Sequence, residues 1–261
     1  MSGALALGLG VTVVTGCGSA ASSGILDVAG ATTASAQAAP VAPGSTPVLL
    51  IHGIFDNSSK MEPMDRYLGA HGFQSRYLIN LVPNGGQAPL ETLAAEVRQR
   101  VDQILADTGA PKIDIVAFSM GGVVSRYYLQ DLDGLSRTRR FVTISSPHHG
   151  TMTAYAMNTP GAIEMRPNSA YLDGLNADTT ALAAHHCTSI WTPLDLMIVP
   201  SRSSVVHWAK DLSIPVALHP LMVTDSRVLA AVANALTEPG TDWNAATGPP
   251  GLLTADDSLP G

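Results

Sequence analysis

Ser119 stands where a β-branched, apolar run meets a segment that can form a helix. Lys112-Ile113-Asp114-Ile115-Val116 leads into Ala117-Phe118-Ser119-Met120-Gly121-Gly122-Val123. Small residues sit two positions before the serine and two after it, at Ala117 and Gly121. This layout predicts a sharp strand-to-helix turn that lifts a serine hydroxyl out of the top of a sheet. Crowding explains the small residues, because the strand and helix backbones nearly touch at such a turn and a larger side chain would pry them apart. A serine hydroxyl is a weak nucleophile alone. It needs an imidazole base, and the base needs a carboxylate to fix its tautomer. The motif therefore points to nucleophilic serine chemistry on an acyl group.

Around such a turn the partners follow in the order serine, acid, histidine, each at the carboxyl end of a strand. His148 and His149 come too early for the base and are expected at the floor or rim of the pocket. His185 and His186 directly precede Cys187 without the spacing of a metal site, and no metal or other cofactor is expected. His207 follows no strand. His219 follows the apolar run Ile214-Pro215-Val216-Ala217-Leu218 and precedes a proline and the last helix, so it is the expected base.

The acid must lie between the two. Asp131, Asp133, Glu164, Asp173, Asp178, Asp195 and Asp211 qualify by position. Asp131 and Asp133 fall at the end of the helix after the serine, on the wrong side of a sheet. Asp195 stands among apolar residues in Trp191-Thr192-Pro193-Leu194-Asp195-Leu196-Met197-Ile198-Val199. A carboxylate in such company requires a partner, and an imidazole supplies one. Glu164 and Asp173 are the fallback. Two backbone N–H groups must face the developing oxyanion. Met120, directly after the serine, and Ile54, in the His52-Gly53-Ile54-Phe55 loop after the first strand, are the expected donors. His52, Gly53, Phe55, Phe118 and His148 are expected around the substrate.

Composition limits the rest. The 261 residues are 46% hydrophobic and 13% charged, with a formal net charge of -7. That is too apolar for a disordered chain and offers no basic footprint for nucleic acid. Ala4 to Val14 form an apolar stretch of signal-peptide length, although no Lys or Arg precedes Lys60. Val14-Thr15-Gly16-Cys17 resembles a lipobox, in which Cys17 would be lipidated and anchor the chain to a membrane; Ala34-Ser35-Ala36 resembles an ordinary signal-peptidase site. Export is expected, as a secreted or surface-anchored protein. The only other cysteine, Cys187, is expected to be a buried thiol.

Strand and helix patterns alternate. Strands are expected at Pro47–His52, Arg76–Leu81, the run before Ser119, Arg140–Ser145, Ser189–Trp191 and Ile214–Leu218. Helices are expected at Met61–His71, from Leu90 to Thr108, from Met120 to about Leu132, and at Val223–Leu236. The fold class is α/β, a mostly parallel sheet with helices on both faces. Residues 1–46 read as signal and linker, 47–238 as one catalytic domain and 239–261 as a disordered tail. Residues 147–186 interrupt the rhythm and are expected to form a wall or partial lid.

The chain resembles the bacterial triacylglycerol lipases of the α/β-hydrolase superfamily, most closely the small, nearly lidless ones. The resemblance rests on Val48 to Ile54, Thr108 to Gly122, Tyr127-Tyr128, Leu132-Asp133-Gly134, Thr188-Ser189-Ile190, Asp195 to Val199 and His219. Ala117 in place of the usual glycine is a trait of the small lipases. Ser146-Pro147-His148-His149-Gly150-Thr151 resembles a segment of the larger, lidded ones, Phe118 departs from their usual histidine, and 147–186 is longer than in the smallest members. The resemblance implies Asp195 as acid and His219 as base. Some larger relatives carry a structural calcium near that histidine; Asp225 could suggest one, but no matching cluster of ligands is evident in the sequence. The expected activity is hydrolysis of lipid or other carboxylic esters by a monomer. An acyltransferase or a polyesterase with the same triad is the alternative, and a non-catalytic lipid-binding surface lipoprotein comes last.

Overall fold

The computed structural model describes residues 46–238. Expectations for the signal segment, Cys17, the linker and the C-terminal tail lie outside those residues. Six strands form a single sheet: β1 (Val48–Ile51), β2 (Arg76–Ile79), β3 (Ile113–Phe118), β4 (Thr138–Ile144), β5 (His186–Trp191) and β6 (Lys210–Ser213). Every pairing is parallel, in the order β2-β1-β3-β4-β5-β6. The helices are α1 (Glu62–Ala70), α2 (Leu90–Thr108), α3 (Met120–Asp131), α4 (Gly134–Arg137), α5 (Pro160–Glu164), α6 (Ala170–Ala177), α7 (Thr180–Ala183) and α8 (Ser226–Thr237).

The central strands read as continuous apolar runs because both faces are covered. Side chains alternate between two cores. Leu49, Ile51, Ile113, Ile115 and Ala117 pack with residues of α2 and α3, whereas Val48, Leu50, Val116 and Phe118 pack with residues of α1 and α8. α2 keeps its apolar stripe at Leu93, Ala94, Val97, Val101 and Ile104, all fully buried, and Gly109 ends it in the left-handed conformation at φ 67°.

One strand falls elsewhere than the sequence suggests. The expected strand at Ile214–Leu218 is irregular, and β6 is the polar stretch just before it. An edge strand is covered on one side only, so Lys210-Asp211-Leu212-Ser213 alternates instead of running apolar. Ile214 still donates its N–H to the Trp191 carbonyl at 2.8 Å, but two residues on the Val216 N–H goes to the Thr192 hydroxyl at 3.0 Å instead of a backbone carbonyl, and the ladder ends. Residues 147–186 hold a 3₁₀ turn at Met152–Ala156 and the short helices α5, α6 and α7.

The strand order reverses at β1. β2 lies on one side of it and β3 on the other, which opens a crevice at the carboxyl ends of β1 and β3. The loop carrying Gly53 and Ile54 leaves β1 there, and Ser119 leaves β3 beside it, with Ile51 and Ala117 in register.

Candidate active site

Ser119 occupies φ 55°, ψ -126°, a conformation that non-glycine residues rarely adopt and that costs about 1–3 kcal/mol. The turn is held from all sides. The Ser119 N–H donates to the Ile144 carbonyl at 2.8 Å, and the residues on either side, Phe118 and Met120, are buried. A Cβ on Gly121 would stand 2.6 Å from the backbone oxygen of His52, and one on Gly122 would overlap the Ser146 side chain. The small residues of the motif are thus explained by the approach of α3 to the end of β1 and to the loop after β4.

His219 opens a 3₁₀ turn, His219–Val223, with Pro220 behind it. Its Nε2 lies 3.0 Å from Ser119 Oγ, and its Nδ1 lies 2.8 Å from Asp195 Oδ2. The Asp195 Oδ1 accepts the N–H groups of Met197 and Ile198, each at 2.9 Å. Burial pushes the Asp195 carboxyl up, but the His219 ring and these two amides outweigh it and hold the group below its ordinary range. An ionised carboxylate only accepts, so Nδ1 carries the ring proton and the Nε2 lone pair faces the serine. The Phe118 ring lies 4.7 Å from the His219 ring, centroid to centroid, and restrains its tilt.

The other carboxylates are engaged elsewhere. Glu164 accepts the Leu90 N–H at 2.6 Å, Asp211 accepts from Trp191 Nε1 at 2.8 Å, and Asp178 accepts the Thr180 N–H at 2.9 Å. Asp131, Asp133 and Asp173 are exposed. Asp225 caps α8 and pairs with Arg227. Among the described residues no group of three or more His, Cys, Asp or Glu side chains could hold a metal ion.

The loop after β1 packs directly on the serine. A Cβ on Gly53 would stand 2.9 Å from Ser119 Cβ, so no other residue fits there. Phe55 takes a positive φ of 62° and donates its N–H to the Asn84 carbonyl at 3.1 Å. The Ile54 N–H has no acceptor among the described residues, and the Met120 N–H is one of the unpaired donors that open α3.

Of the residues expected around the substrate, Gly53 packs against Ser119, Phe118 packs against His219, and Phe55 projects into solvent at 63% exposure. His52 and His148 are placed differently. Both are fully buried, because each ring serves the interior. His148 Nε2 is 3.1 Å from Thr143 Oγ1, and its ring meets the edge of Trp208 at 5.2 Å. His52 hydrogen-bonds backbone groups through both ring nitrogens. Cys187 is a buried free thiol that burial pushes well above its ordinary pKa.

A feature absent from the sequence reading is an apolar collar. Phe55, Met152, Tyr155, Leu194, Leu196, Met197, Leu218 and Leu221 are exposed large hydrophobics on the loops at the carboxyl end of the sheet. The signal was available: residues 147–163 and 212–224 contain no Asp, Glu, Lys or Arg, and residues 192–201 contain only Asp195.

The model of a protein family described as palmitoyl protein thioesterase matches residues 47–188. The chain belongs to this family. The family match takes in β1, the loop at Gly53, Ser119 and the start of β5, and stops short of Asp195 and His219, which rest on their own geometry. The triacylglycerol lipase of Burkholderia plantarii is 30% identical over 147 residues, 49% of this chain and 38% of that protein. The triacylglycerol lipase of Pseudarthrobacter phenanthrenivorans is 32% identical over 118 residues, 40% of this chain and 34% of that one. The matches thus span little more than a third of each curated relative. Among solved structures, Aspergillus fumigatus lipase B superposes with a TM-score of 0.66 at 16% identity, over 80% of this chain and 56% of that one. Mature Bacillus licheniformis lipase BlEst2 gives 0.65 at 14% identity, over 75% and 93%. These likenesses show the fold, an α/β hydrolase, which this palmitoyl protein thioesterase family member shares with lipases.

Proposed function

We propose that the chain is a serine hydrolase of carboxylic esters with lipidic acyl groups. The observation that carries this is the unbroken relay from Asp195 through His219 to Ser119, at 2.8 and 3.0 Å. In this reading His219 Nε2 takes the hydroxyl proton as Ser119 Oγ bonds to the ester carbonyl carbon. The Ile54 and Met120 amides hold the oxyanion. As the tetrahedral species collapses, the carbonyl reforms, the bond to the leaving oxygen breaks, and His219 returns the proton to that oxygen. Water then repeats the sequence and frees the acid. Asp195 remains ionised and stabilises the imidazolium. The apolar loops, whose one charged residue in these stretches is Asp195, support an acyl chain over a polar substrate.

The test pairs an active-site phosphonate with an ester series of increasing acyl length. Mass spectrometry should find the phosphonate on Ser119, and Ser119→Ala should lower kcat on the order of 10⁶-fold. An unlabelled serine, or activity near wild type in the variant, refutes the proposal. The family match favours a second reading, a thioester in place of the oxygen ester. A matched acyl thioester and ester separate the two by kcat/KM. The apolar stretch Ala4 to Val14 supports export, either with anchorage through a lipidated Cys17 or, after cleavage at Ala34-Ser35-Ala36, as a secreted protein; the anchored form is tested at Cys17. An N-terminal peptide carrying a lipid mass would bear this out, and an unmodified Cys17 in membrane-free protein would reject it.

A further inference from the structure

The ring of His52 sits between two backbone groups. Its Nε2 is 3.1 Å from the Leu81 nitrogen, just beyond the end of β2, and its Nδ1 is 2.8 Å from the Gly53 carbonyl oxygen. The Leu81 N–H can only donate, so Nε2 must be the bare nitrogen. A neutral imidazole has one proton, which therefore lies on Nδ1 and is donated to the Gly53 carbonyl. The Gly53 C=O and the Ile54 N–H belong to one planar trans peptide and point in opposite directions. Holding the carbonyl toward the His52 ring therefore turns the Ile54 N–H away from it. That N–H is without an acceptor among the described residues, and Gly53 is the residue packed against Ser119.

We propose that His52 is a positioning residue whose neutral ring, with its tautomer set by the Leu81 amide, aims the Ile54 N–H at the substrate oxyanion. The inference rests on the ester-hydrolase reading above and deepens it. Burial keeps the ring neutral by lowering its pKa, against the opposing pull of the Gly53 carbonyl and the carboxylates of Asp56 and Glu96. The second flank of the loop is fixed separately, by the Phe55 N–H on the Asn84 carbonyl. Between the two anchors the Ile54 peptide has one orientation.

Two substitutions split the ring's two bonds. His52→Asn can offer an N–H near the Nδ1 position and so keeps the donor to Gly53. His52→Gln can offer an acceptor near the Nε2 position and so keeps the bond from Leu81. The readout is kcat and KM for an oxygen ester and for its thionoester, whose C=S carbon is attacked equally but whose sulfur is poorly held by N–H donors. His52→Gln should lose kcat on the order of 10²-fold, the scale of one oxyanion donor, with KM nearly unchanged. Its preference for the oxygen ester over the thionoester should shrink, and His52→Asn should restore most of both. A merely structural role would lower both substrates together and leave their ratio alone. A wild-type ratio in His52→Gln, or equal behaviour of the two variants, overturns the inference while Ser119 labelling and wild-type turnover remain intact. A wild type that neither labels nor turns over ester refutes the hydrolase reading, and the inference with it.

Discussion

The turn around Ser119 and the segment 147–186 are held by different mixtures of contacts. At the turn, the backbone of α3 presses on the end of β1 at Gly121 and on β4 and the loop after it at Gly122, with room only for hydrogen at both. Its position is set by steric exclusion and by apolar burial on both faces of the sheet. The segment 147–186 shares that core through Ala154, Met165, Tyr171, Leu172, Leu175 and Leu182, and adds polar side chains that reach carbonyl groups. Arg126 Nη2 and Gln130 Nε2 both donate to the Leu175 carbonyl, at 2.7 and 2.8 Å, and Asn176 Nδ2 donates to the His148 carbonyl at 3.1 Å. Tyr171 donates its hydroxyl to the Val123 carbonyl at 3.1 Å. Arg126 is fully buried with its guanidinium 5.1 Å from the Trp208 ring centroid, and burial pushes its pKa down to about 10. Steric packing sets the turn at Ser119, while in segment 147–186 separable polar ties are added to the packing. Changes on the first side should act on chemistry or fold steeply, and changes on the second should be small and sensitive to conditions.

After the serine itself, the largest effect belongs to the acid. Asp195→Asn should lower kcat on the order of 10⁴-fold, because the amide can donate to Nδ1 and turn the His219 lone pair away from Ser119. Melting temperature should move little by comparison, since the amide still fills the site. A steady-state assay beside a thermal scan checks this. A variant that loses fold and activity together would break the distinction between rigid frame and chemistry.

Next comes the frame itself. Gly121→Ala places a methyl 2.6 Å from the His52 oxygen and 2.9 Å from Ile51 Cγ2. Backbone cannot move aside as a flexible side chain can, so the cost should be about 1–3 kcal/mol or more. For a domain of this size that is a fall of several degrees in Tm, at roughly 2–4 °C per kcal/mol. An unchanged Tm would show that α3 can slide, and that the turn is not the steric lock described.

This contrast also explains how much of the molecule is legible in its sequence. The turn at Ser119 is legible because its constraints are local: an apolar run, then small residues at fixed offsets. Asp195 and His219 stand out because one is a carboxylate in an apolar stretch and the other a histidine between an apolar run and a helix, and the fold brings both within hydrogen-bond reach of the serine line. β6 is harder to read because an edge strand has no apolar signature, so the run at Ile214–Leu218 draws the eye instead. The inward turn of His52 and His148 is not legible at all. It depends on Leu81 and Trp208, 29 and 60 positions away in the sequence, reaching the same rings. The ties of segment 147–186 fail for the same reason, since Arg126 and Glu164 look like surface charges until the carbonyls and amides they meet are known.

The third effect is smaller and depends on pH. Glu164 joins α5 to the first turn of α2 through the Leu90 N–H at 2.6 Å. Burial pushes its carboxyl up to about 7; the Leu90 amide opposes this and neighbouring Glu91 adds to it. The folded pKa is raised above the unfolded value, so the protonated group favours the fold. Its contribution is full below the ordinary carboxylate pKa and fades as pH rises through about 7. The side chain is partly open to solvent, and screening keeps the effect to about 1 kcal/mol or less. Glu164→Gln is a neutral mimic of the protonated form. Its Tm relative to wild type should rise between pH 5 and pH 8, and the difference cancels the titration of His52, His148 and His185. A flat difference would mean that this tie is insensitive to charge and would weaken the contrast between the two regions.

The smallest change sharpens the comparison most directly, because it repeats in segment 147–186 the methyl added at Gly121. Gly174 lies inside α6 on an exposed face, and a Cβ there meets nothing within 4 Å. Glycine in a helix interior loses more backbone freedom on folding than alanine does, so Gly174→Ala should stabilise by about 0.5–1 kcal/mol. Tm should rise by a few degrees at most, with kcat and KM at wild-type values. The same substitution would then carry opposite signs at two helices: against a packed strand end it costs, and on an open helix face it gains. If Gly174→Ala instead lowered Tm or slowed turnover, α6 would have a neighbour or a motion that its ties to Arg126 and Gln130 do not account for. Segment 147–186 would then belong with the rigid frame.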